Sequence, residues 1–172
     1  MEFVSLPWWT MCFRWLHVIS GIMWIGHLWY FNFVQTPSMP KIPDEQKPAI
    51  TKFIAPTALF WFRWGAMATI VTGLILAGMN GYLLSAIKLG IGDHNAHNTA
   101  IGFGMWLGTI MWFNVWFIIW PNQKKALGIV NATPDEKKKA ARMAGLTSRV
   151  NTMLSVPMLY CMASASHYFA MG

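Results

Sequence analysis

Four apolar runs, near residues 11–34, 57–79, 100–120 and 149–170, each reach the length of about 20 residues that crosses a bilayer's hydrocarbon. A soluble domain of 172 residues could not bury all four, since 55% of the chain is hydrophobic and only 11% charged. Lipid is therefore the expected solvent for these runs. The expected fold is all-α: a multi-pass membrane protein, one domain over residues 1–172, built as a four-transmembrane-helix bundle. Close helix contacts in lipid need small residues. Gly21 in the first run, Gly65, Thr69 and Gly73 in the second, Gly104 and Gly108 in the third, and Ala163-Ser164-Ala165-Ser166 in the fourth supply them.

The connections differ in character. Residues 36–56 hold Pro37, Pro40, Pro43, Pro48 and Pro56 among charged residues, which predicts an extended polar loop. Residues 121–148 form the second polar loop. Within it Thr133-Pro134-Asp135-Glu136 has the capping-box pattern, so a short basic helix over KKKAARMAG is expected to lead into the last span. Residues 80–99 carry an apolar patch, Tyr82, Leu83, Leu84 and Ile87, which predicts an interfacial helix before the turn GDHNAHN. The amino terminus has an early acidic residue and no small-residue cleavage pattern, so a removable signal peptide is not expected.

Lysine and arginine positions set the orientation. The 36–56 loop carries Lys41, Lys47 and Lys52, and the 121–148 loop carries Lys124, Lys125, Lys137, Lys138, Lys139 and Arg142, whereas the 80–99 connection has only Lys88. The positive-inside rule then places both basic loops in the cytoplasm and both termini outside. The net charge of +7 reads as a topology signal and an attraction to anionic lipid, so the bilayer is an expected partner and nucleic acid is not.

This topology gives the histidines a common geography. His17 falls in the outer half of the first span, His94 and His97 at the outer mouth of the third, and His167 at the outer end of the fourth. His27 lies about 15 Å deeper than His17 and roughly 80° around the helix. An ionisable residue inside a membrane is a functional hypothesis by default, and imidazole is a frequent ligand of metal ions and haem iron in bundle interiors. His17, His97 and His167 are therefore the candidate metal and cofactor ligands. The plainer alternatives are a helix-to-helix hydrogen bond for His17 and ordinary loop or interfacial roles for the others. Arg14 shares the outer side and is a candidate partner for a haem propionate or a substrate carboxylate; the plainer reading of Arg14, Arg63 and Arg149 is interfacial anchoring.

Other chemistries are excluded by what the spans contain. The six acidic residues all lie in tails or loops, so proton-relay carboxylates of an ion-coupled transporter are absent from the runs. There is no nucleotide-binding glycine loop, metalloprotease helix or catalytic serine elbow. Cys12 and Cys161 are isolated, and without a CxxCH motif this chain attaches no c-type haem covalently. The two cysteines read as small core residues or as one disulfide. The 13 methionines beside histidines suggest copper, but without a close M-x-M cluster gap-filling is the better reading.

RWLHVISGIMWIGHLWYFNFVQ, FWFRWGAMATIVTG, LGTIMWFNVWFIIWPNQKKAL and SRVNTMLSVPMLYCMASASHY resemble segments of the membrane domain of the bacterial urate hydroxylase (urate oxidase) family. In that family a multi-span domain precedes a cytochrome c domain. The third segment is the most specific, and WLHVISGIMWIG is also similar to copper-resistance and protoporphyrinogen-oxidase membrane proteins. The resemblance implies a membrane redox protein that oxidises a purine and passes electrons to a c-type cytochrome outside. His17, Arg63, Asn114, Pro121, Asn122, Gln123, Asn151, Pro157, His167 and Tyr168 stand at family positions. Gly102 and Val150 stand where the family has histidines, and the cytochrome domain is absent from these 172 residues.

The expected role is an accessory or electron-transfer subunit with a b-type haem held from the outer half, served by a c-type cytochrome or a larger membrane complex. If it is an enzyme, it is an oxidoreductase of the cytochrome-c-linked urate hydroxylase type. The alternatives are a non-redox interaction subunit of a larger complex and a copper-handling membrane protein.

Overall fold

The structure, a computed structural model, describes residues 5–92 and 95–168. His94 lies outside these residues. The chain is all-α, with no strand among the described residues.

Helix α1, Leu6–Trp29, starts on Ser5 with proline in its first turn, where a missing N–H costs nothing. It runs on through a π-helical turn, Tyr30–Gln35, into Thr36–Ser38. Helix α2, Ala55–Met79, is preceded without a break by Lys47–Ala49 and a second π-helical turn, Ile50–Ile54. The extended loop expected over 36–56 is thus mostly helical. Its prolines are absorbed in the helical backbone: Pro48 sits in the first turn of the stretch that leads into α2, Pro37 and Pro56 each follow a π-helical turn that takes up the missing N–H, and Pro40 lies in a 3-10 turn.

The helix expected in the 80–99 connection is α3, Leu83–Ile87. Helix α4, Ala96–Phe113, is capped by Asn95, whose side chain accepts from the backbone N–H groups of His97 and Asn98. It continues through a third π-helical turn, Asn114–Ile119, into α5, Trp120–Ala126. Helix α6, Pro134–His167, opens with the capping box: Thr133 Oγ1 accepts from Glu136 N at 3.3 Å and Glu136 Oε2 accepts from Thr133 N at 2.7 Å. The basic segment expected as a separate short helix is the first part of this single 34-residue helix.

α1 packs mainly on α2, and α4 mainly on α6. Their shared core holds Trp24, Ile25 and Leu28 of α1, Leu59, Phe62 and Ala66 of α2, Met111, Val115 and Ile119 along α4, and Met158 of α6. Glycine sets the approach where a side chain would not fit. A Cβ at Gly65 would stand 3.2 Å from the backbone nitrogen of Trp24, and one at Gly104 would stand 3.0 Å from the Met162 methyl. Hydrogen bonds tie the pairs together: Asn114 Nδ2 donates to Asn151 Oδ1 at 2.8 Å, Asn151 Nδ2 to the Met111 carbonyl at 2.9 Å, and Trp29 Nε1 to Ser155 Oγ at 2.9 Å.

Two continuous helical stretches, Lys47–Met79 and Ala96–Ala126, are long and apolar enough to cross a membrane. Arg63 lies flat on an aromatic face, its guanidinium carbon 3.3 Å from the centroid of Trp120 and 5.8 Å from that of Trp116.

Candidate functional site

His17 is half-buried between α1 and α2. Its Nδ1 stands 2.9 Å from the Thr69 carbonyl and 3.4 Å from Thr72 Oγ1. A carbonyl only accepts, so Nδ1 carries the proton, and Nε2 keeps its lone pair. The ring fits because residue 73 is glycine: a Cβ there would lie 2.8 Å from His17 Cε1. Thr69 and Gly73, one turn apart on α2, thus hold the imidazole by a hydrogen bond and by space.

The other histidines follow the same rule in different places. His97 Nδ1 bonds the Ala165 carbonyl of α6 at 2.8 Å, and His27 Nδ1 bonds the Met23 carbonyl of its own helix at 2.7 Å. His167 is exposed at the end of α6. The imidazoles of His17, His27 and His97 are therefore each pinned to a different carbonyl. Among the described residues, no three His, Cys, Asp or Glu side chains come together in a group that could hold a metal ion. Cys12 and Cys161 are both free thiols.

Tyr82, read from the sequence only as part of an apolar patch, belongs to the same end. Its ring stands edge-on to His97 with centroids 5.8 Å apart. Burial pushes its hydroxyl pKa up, against the opposing pull of the Arg14 charge. Arg14, exposed, is three residues before His17 and so lies about one turn nearer the start of α1. This end of the bundle therefore carries Arg14, Tyr82 and His97, with His17 one turn further along α1.

Gly102 stands against the Ala86 carbonyl at the end of α3, where a Cβ would collide with backbone. A histidine at this position could not be accommodated without moving α3.

Residues 92–172 match the family model described as urate oxidase N-terminal. That stretch carries α4, α5 and α6 with His97, His167 and the LGTIMWFNVWFIIWPNQKK segment, while Arg14 and His17 lie outside it. No curated protein and no solved structure matches the chain. Over residues 92–172, the chain is thus similar to the urate oxidase N-terminal family.

Proposed function

We propose that the chain is a four-span bundle of a bacterial inner membrane, with both termini extracytoplasmic, that serves as an accessory or electron-transfer subunit and holds a b-type haem in its outer half. Two stretches of spanning length support the membrane reading. So does the length of α1, whose 24 residues rise about 36 Å.

The observation that carries the haem assignment is the His17 geometry. A ligating imidazole is usually oriented by a hydrogen bond from its other nitrogen, and the Thr69 carbonyl performs that role here. The Gly73 cradle fixes the ring. A b-type haem supplies one-electron transfer when bound. On this reading His17 would hold the haem iron together with His97, held in the same tautomer by Ala165, or with exposed His167. Arg14, one turn outward from His17, would pair with a propionate.

The test is the reduced-minus-oxidised absorption spectrum of the detergent-purified full chain, with elemental analysis. A reducible Soret band that is lost in His17→Ala supports the assignment. A fully loaded protein with no chromophore favours a docking subunit of a larger complex, and bound copper favours copper handling.

A further inference from the structure

At the opposite end of the bundle from His17, a cavity of about 110 Å³ opens where all four long helices meet. Its polar lining comes from Asn32, Gln35 and Thr36 after α1, Thr51 before α2, Gln123 of α5, and Ser148 and Arg149 of α6. Each of the three π-helical turns contributes to it: Tyr30–Gln35 through Gln35, Ile50–Ile54 through Thr51, and Asn114–Ile119 through Ile119. Each of these turns runs into a segment with proline at its second position, Pro37, Pro56 or Pro121, whose missing N–H accounts for the widened turn and leaves space beside it.

One of these polar groups is left without a partner. Gln35 Oε1 is buried with no hydrogen-bond partner, an acceptor that costs free energy until something donates to it. Asn32 Nδ2 is already used, donating to Leu28 O and to Ser148 Oγ. Arg149 makes no ion pair among the described residues. At about 30 Å³ per water, the space holds roughly four waters or a ligand of similar bulk.

We infer that this cavity is a binding site for a small monocarboxylate that also carries a hydroxyl or amide donor. The one cationic side chain in the lining, Arg149, matches a single negative charge and the planar fork of a carboxylate. Gln35 Oε1 takes the ligand's donor, and the Gln123 amide faces its remaining acceptor. The site stands apart from the haem assignment, sharing no residue with it. Gln123 belongs to the WPNQKK segment, so the site gives that signature a chemical use.

The probe is glycolate, titrated calorimetrically into the detergent-purified full chain, with acetate and inorganic phosphate as comparators. Glycolate should bind saturably. Acetate, which lacks the donor, and phosphate, which carries excess charge, should each bind about tenfold more weakly or worse. Arg149→Gln and Gln35→Leu should each weaken glycolate by about tenfold or more while the helical circular dichroism stays unchanged. Arg149 is exposed, so its variant keeps the test valid if Gln35→Leu fails to fold. Absence of saturable glycolate binding, meaning a cavity filled by water only, overturns the inference. So does binding that Arg149→Gln leaves unchanged, or phosphate binding as tight as glycolate.

Discussion

Asn151 lies wholly buried with its amide bonded at both ends, accepting from Asn114 Nδ2 at 2.8 Å and donating to the Met111 carbonyl at 2.9 Å. It joins α6 to α4 at the level of the core, close to the π-helical turn that begins at Asn114. Replacing Asn151 with Ala removes both bonds and strands the Asn114 amide. The cost should be about 1–3 kcal/mol, read as a lower midpoint in denaturant or thermal unfolding of the purified chain.

The α1–α2 contact depends on backbone approach at Gly65. In Gly65→Val the new side chain meets the Trp24 backbone rather than a side chain that can rotate away. The variant should lose about 1–3 kcal/mol by the same measurement. Gly78→Ala, where a Cβ meets nothing within 4 Å, should stay near wild type.

Arg63 is held by the face of Trp120 and by a bond from its Nε to the Leu59 carbonyl at 3.1 Å. Arg63→Lys keeps the charge and gives up the flat stacking, so it should destabilise by about 0.5–2 kcal/mol and alter tryptophan emission. Unchanged emission and stability would mean that the contact contributes nothing.

The start of α6 should respond to acid. Hydrogen bonds from the Thr133 backbone and side chain hold the Glu136 carboxyl below its usual 4.5. Its folded pKa is depressed, so its stabilising effect is fully present above the ordinary glutamate pKa and is lost as pH falls through the lower, folded value. The Thr133 amide NMR shift should therefore titrate with a midpoint below 4.5. A midpoint at or above that value would show that the capping box does not hold the carboxylate.

The apolar runs made the four long helices legible, because a 20-residue stretch without charge has few other folds open to it. Thr133 and Glu136 likewise announced the start of α6. The 36–56 segment misled because proline marks both a break and a first turn, and the residues on its C-terminal side decide between them. The basic run after Glu136 looked like a separate helix because composition changes there, although the backbone does not. The histidines were visible, but their partners were not: Thr69, Ala165 and Met23 act through carbonyls, which every residue has. Thr69 and Gly73 could be named only as small residues on one face of α2. The cavity left no sequence pattern at all, since its lining is drawn a few residues at a time from separate helices and the π-helical turns within them.

The haem assignment is tested most directly by titrating haem into the apo form of the full chain, comparing wild type with His17→Ala and His27→Ala. One saturable site with a Soret band is expected in wild type and in His27→Ala, with affinity weakened by about tenfold or more in His17→Ala. Haem binding to His17→Ala with wild-type affinity and spectrum would contradict the assignment.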